Sequence, residues 1–127
     1  MIRVYGIKEH LEAVRERLSD VINTCMVGAL QFPENKRAHR FIGLDSKDFY
    51  YPEGRTDAYT VIEISLIQGR SEFARKNLIH MLFNSIEEQL GIDPIDVEIT
   101  LFEVPACNWG FRGMTGDEAV LNYDINV

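Results

Sequence analysis

Apolar side chains recur along this chain in two rhythms, and each rhythm occurs twice. From Glu9 to Gln31 they fall at Leu11, Val14, Leu18, Val21, Ile22, Cys25, Met26, Ala29 and Leu30. Those three- and four-residue steps predict an amphipathic helix. The same steps run from Glu72 to Leu90, through Ala74, Leu78, Met81, Leu82, Ile86 and Leu90. Ser71 stands ready as an N-cap for this second helix, and Gly91 supplies a left-handed stop. The other rhythm has a period of two. "YTVIEISLI" and "VEITLFEV" alternate and are rich in β-branched residues, which predicts strands over Thr60–Ile67 and Val97–Val104. Ile2–Ile7 and Arg37–Ile42 read as strands flanking the first helix.

The two halves superimpose in sequence with a shift of about sixty residues. Ile2 falls on Ile62, Val4 on Ile64, Leu18 on Leu78, Ile22 on Leu82 and Phe41 on Leu101. A βαβ unit used twice accounts for this spacing. Right-handed crossovers make the strands of each unit parallel and put both helices on one face of a four-stranded sheet. The expected fold class is therefore α/β, in a single domain spanning residues 1–127. Its half-repeats are 1–43 and 59–104, joined by a loop over 44–58 and followed by a loop and tail over 105–127. The other sheet face, expected to carry Tyr5, Ile62, Ile64 and Phe102, has no cover within one chain, and this predicts assembly through it. In the connection, Pro52, Gly54 and Asp57 mark turns, and Phe49-Tyr50-Tyr51 predict docking against apolar surface, as a structural wrap rather than a lid.

Charge narrows the function classes. Thirteen basic against twenty acidic residues give −7, the wrong field for general nucleic-acid binding. The cluster Lys36-Arg37-Ala38-His39-Arg40 is the local exception and reads as a solvated strand edge. No run reaches the roughly 18 apolar residues of a membrane span, so no membrane association and a cytoplasmic location are expected. Cys25 sits on the first helix's apolar stripe, and Cys107 has no histidine partner in sequence. The three histidines form no metal spacing, and the glycines form no phosphate loop. Nothing in the sequence points to a cofactor or a metal.

Chemistry concentrates in "LIQGRSEFARKNL" and "LFEVPACNWGFRG". With the doubled βαβ unit, Gly69-Arg70-Ser71 and Asn108-Trp109-Gly110-Phe111-Arg112-Gly113 resemble the tautomerase superfamily, in its malonate semialdehyde decarboxylase-like branch. The resemblance covers nearly the whole chain. It implies the same doubled fold, a homotrimer with sheets packed inward, and a small carboxylate ligand gripped by an arginine. It also implies proton transfer by an amino-terminal proline whose amine is desolvated beside arginines. This chain begins Met1-Ile2, so the free amine is expected on Met1. Lys36 stands where that branch has an aspartate, Gln68 where it often has an arginine, and Asn108 where it has an aspartate.

The implied assignments are Arg70 on the substrate carboxylate, Trp109 and Phe111 enclosing it, and Met1 as the acid or base. Arg112 is a candidate second anion contact, or else a solvated loop charge; Lys36 is a candidate replacement amine. The expected activity is that of a diverged isomerase or tautomerase on small 2-oxo or enol carboxylates. The alternative is a non-catalytic homolog binding a small carboxylic acid or a protein partner.

Overall fold

The computed structural model describes residues Met1–Val127. The chain runs through β1 (Ile2–Ile7), α1 (Lys8–Leu30), β2 (His39–Leu44), β3 (Thr60–Ile67), α2 (Glu72–Leu90) and β4 (Val97–Val104), then a small hairpin of β5 (Gly110–Phe111) and β6 (Met114–Thr115). The main sheet has the order β2-β1-β3-β4. β1 and β2 are parallel, as are β3 and β4, and the two halves meet where β1 pairs antiparallel with β3.

The second half follows its sequence signals closely. The Ser71 side chain accepts from Ala74 N–H at 3.1 Å, and Gly91, at φ 67°, closes the helix by donating to Glu87 C=O at 3.0 Å. The first half departs at three points. Helix α1 begins one residue early, straight out of β1, with Ile7 extended and no side-chain cap. It ends at Leu30, with Gln31 taking the left-handed stop at φ 56°. Strand β2 begins at His39 rather than Arg37. Ile2 N–H bonds Ala38 C=O at 2.9 Å and fixes the register there, while Arg37 is drawn off the strand line by Asp20 at 2.6 Å.

Strand parity fixes the core. Ile2, Val4, Ile62, Ile64 and Leu66 point into the helices and meet Leu18, Ile22, Leu78, Leu82 and Ile86, all buried. Burial of such side chains contributes roughly 1.5–3 kcal/mol each relative to exposure. Ile62 and Ile64 therefore do not lie on the open face, contrary to expectation. In the β1–β3 register Ile62 sits opposite Val4 and Ile64 opposite Ile2, on the helix side. The open face carries Tyr5 and Phe102, and it is more polar than anticipated. Arg3 crosses it, donating to Glu63 at 3.2 Å and to Ser65 Oγ at 3.1 Å.

The 44–58 connection packs at the sheet end where β3 begins. Phe49, Tyr51 and Tyr59 form one aromatic cluster, with ring centroids 5.6–6.3 Å apart. Thr56 ties the loop down through its N–H and hydroxyl, both donated to the buried Asp96 carboxylate at 2.8 and 2.6 Å. It is a wrap, with Tyr50 left outside it at 88% exposed. No helix is long and apolar enough to cross a membrane.

Candidate active site

The antiparallel pairing of the halves gathers the sheet's opposite end. There β1 starts, β3 ends and α2 begins, so Met1, Ser65 and Arg70 come together although they are far apart in sequence. Ser65 N–H donates to Met1 C=O at 2.8 Å, and the Met1 amine donates to Ser65 C=O at 3.1 Å. Lys36, Ala38 and Arg40 approach from the entry to β2, and Met26 and Phe32 from the end of α1. Trp109 and Phe111 close one wall and Leu121 and Tyr123 of the tail another, around a cavity of 320 Å³.

The cavity is cationic in an acidic protein. Its wall holds the Met1 amine, Lys36, Arg40 and Arg70 and no Asp or Glu. The amine is the group most affected. Burial foremost, then Arg3, Arg40 and Arg70, lower its pKa from 8.0 to about 6; both influences disfavour the ammonium form. The Met1 thioether lies against the guanidinium groups of Arg3 and Arg40.

Arg70 is 5% exposed. Its Nη1 donates to Ile67 C=O at 2.9 Å, while Nε and Nη2 have no partner. Burial lowers its pKa, opposed by Tyr123, Glu103 and Asp124. A buried cation with two idle donors is costly unless a ligand satisfies them. Nε and Nη2 share one edge of the guanidinium plane, the fork that matches a carboxylate's two oxygens. The start of α2 lies directly beyond, and its dipole favours negative charge there.

Thus Met1, Lys36, Arg70, Trp109 and Phe111 share one cavity. Arg112 does not line it. Its backbone is left-handed (φ 55°) and its guanidinium stacks over the outer side of Phe111, 4.9 Å from the ring centroid. Cys107 and Asn108 are exposed. Sequence reasoning missed Arg40, Phe32, Leu121 and Tyr123. Arg40 belongs to the basic cluster read as a solvated strand edge. That reading holds for Arg37; Arg40 is exposed as well but also lines the cavity, because the parallel register sets it beside Arg3 and hence beside the terminus, and Lys36 is half-buried in the same lining. A β1–β2 register drawn from the sequence alone would have given this clue. No group of three His, Cys, Asp or Glu side chains is placed to hold a metal.

Residues 36–112 match the family of tautomerase enzymes, a segment that includes Lys36, Arg70, Trp109 and Phe111. The chain belongs to the tautomerase family. It is 30% identical over 56 residues to a 2-hydroxymuconate tautomerase of Comamonas testosteroni, covering 44% of this chain and 89% of that protein. A 2-hydroxymuconate tautomerase of Pseudomonas putida is 32% identical over the same coverage. Among solved structures, a malonate semialdehyde decarboxylase superimposes with a TM-score of 0.79 at 22% identity, over 87% of this chain and 89% of that one. A fused 4-OT, solved as an asymmetric trimer, gives 0.81 at 22% identity, over 92% and 96%. These neighbours share the tautomerase fold, two βαβ units forming one four-stranded sheet under two helices.

Proposed function

We propose that this tautomerase-family protein moves a proton on small carboxylates bearing an enol or 2-oxo group. The observation that carries the reading is the meeting of a terminal amine of lowered pKa with a buried, half-satisfied arginine in one cavity. Arg70 grips the carboxylate through Nε and Nη2. The Met1 amine, largely neutral near pH 7, takes the enol hydroxyl proton as the carbonyl forms and returns a proton to carbon. Trp109 and Phe111 keep water out, which strengthens both interactions. Lys36 and Arg40 add positive field at the mouth and suit a second carboxylate on the ligand.

2-Hydroxymuconate, named in the two relatives, is the first substrate to try. Ketonisation is followed by ultraviolet absorbance, with the free terminus verified by mass spectrometry and a parallel sample carbamylated at the terminal amine. Turnover that disappears on blocking supports Met1 as the base. Turnover that survives blocking removes Met1 from the mechanism, and no turnover in either sample sinks the tautomerase reading for this substrate class.

We also infer that the chain assembles as a trimer through its open sheet face. Tyr5 and Ile42 there are only partly covered and Phe102 is exposed, and fused 4-OT, with the same fold, is solved as a trimer.

A further inference from the structure

Beyond β6 the chain turns back and crosses the cavity. It is held at both ends of this crossing. Gly116 N–H donates to Trp109 C=O at 2.7 Å, and Ser71 Oγ donates to Val127 C=O at 3.2 Å. Between these ties, Gly69 lies at φ 144°, and a side chain there would meet Ile125 C=O and Asn126 Oδ1 at 3.1 Å. The tail and the loop before α2 are thus fitted to one another, and the fit decides where Tyr123 stands.

The Tyr123 ring is fixed from two sides. Phe32 meets it in a T-shaped pair at 5.1 Å between centroids, and Lys36 Nζ lies 5.0 Å from its centroid. Tyr123 lines the same cavity as Arg70, and its influence on the guanidinium opposes that of burial. The hydroxyl stands within hydrogen-bonding influence of the guanidinium but not at the distance of a formed bond, and Nε and Nη2 stay without a partner. The tyrosine and the two-donor edge therefore line one cavity. A carboxylate oxygen fits it, since it can accept from both at once.

We propose that Tyr123 is an anion-binding residue of this cavity: its hydroxyl donates to the carboxylate that Arg70 holds, on a ring clamped by Phe32 and Lys36. The proposal rests on the reading of Arg70 as a carboxylate site and adds to it a donor from the tail. An ester or amide keeps a carbonyl acceptor but lacks the charge and the second oxygen that strengthen both bonds, so Tyr123 sharpens the choice of acids over esters and amides.

Trp109 is the chain's single tryptophan and lines the cavity, so its fluorescence reports occupancy. The experiment titrates 2-oxobutanoate and 2-oxobutanamide into the full chain and its Tyr123→Phe variant. Phenylalanine keeps the ring and its packing and removes only the hydroxyl. Tyr123→Phe is expected to weaken acid binding about tenfold, as for a hydrogen bond to a charged group, and to leave the amide within about twofold. Unchanged acid binding in the variant, where the unsubstituted protein prefers acid to amide, overturns the Tyr123 role and leaves Arg70 standing. Equal losses for acid and amide mark a merely structural tyrosine and overturn it too. If the unsubstituted protein binds the acid no better than the amide, the Arg70 reading falls, and this proposal with it.

Discussion

The pH dependence of turnover tests the site's electrostatics most directly. The amine's pKa stands at about 6 against an ordinary 8.0. At pH 7 an amine with the lower value is about 90% neutral and one with the ordinary value about 10%, so burial and the arginines raise the available base roughly tenfold. The sign follows: kcat/KM should be low when the ammonium form dominates, rise through an inflection near 6, and level off above about pH 7. Arg40→Gln is the informative perturbation. It removes one repelling cation but leaves the burial, Arg3 and Arg70 that also hold the pKa down. The inflection should then move upward, toward 8.0 without reaching it, by at most about one pH unit. The assay is ketonisation of 2-hydroxymuconate from about pH 5 to about pH 9, with the terminal amine's acylation rate measured over the same range as an independent titration. An inflection near 8 in the unsubstituted protein, or one that ignores Arg40→Gln in both measurements, would refute the electrostatic reasoning.

Phe102→Asp places a charge at the open sheet face, where Phe102 is 42% exposed. Light scattering after gel filtration should show the trimer giving way to smaller species, and an unchanged mass would move the interface elsewhere. His39 is held neutral, its pKa lowered from 6.5 to about 4 by burial, then Arg37 and the Met1 amine. As pH falls from 6.5 toward 4 the unfolded chain takes up a proton that the folded chain refuses, so the stability present above 6.5 declines across that window. His39→Gln should flatten the fall in urea midpoint between about pH 7 and about pH 5, leaving the smaller slope from His10, whose pKa burial also lowers. A slope unchanged by the substitution would show that His39 does not carry it.

Periodicity made most of the fold legible. The helices, β3 and β4 stand close to where their apolar steps place them, because a buried stripe repeats strictly at 3.6 or 2 residues. Parity on the sheet was harder. Ile62 and Ile64 are as apolar as any interface residue, and only pairing to β1 reveals that they face inward. The shift of β2 from Arg37 to His39 is set by Ala38 C=O and by Asp20 on α1, contacts that no local pattern encodes. In the site, Arg70, Trp109 and Phe111 were visible through their motifs. Lys36 was named only through its place in the motif, and Arg40 looked like surface charge until the parallel register brought it to the terminus. Tyr123 lies in a tail with no regular structure, so its position depends wholly on tertiary fit.

The doubled architecture has a consequence for how many sites an assembly can hold. Under the shift of about sixty residues, Ile67 corresponds to Ile7, Arg70 to His10, Lys36 to Asp96, Trp109 to Phe49 and Phe111 to Tyr51. The far end of the sheet is thus the cavity's own counterpart, and it is plugged. Phe49 and Tyr51 are stacked with Tyr59 there, and Asp96 is committed to Thr56. The residue equivalent to Met1 is Val61, whose nitrogen is an amide inside the chain and cannot act as a base. Joining two halves into one polypeptide therefore breaks their equivalence: on the proposed function, each chain supplies one reactive end where two free halves would supply two. The plugged end serves as a structural anchor while the other remains open.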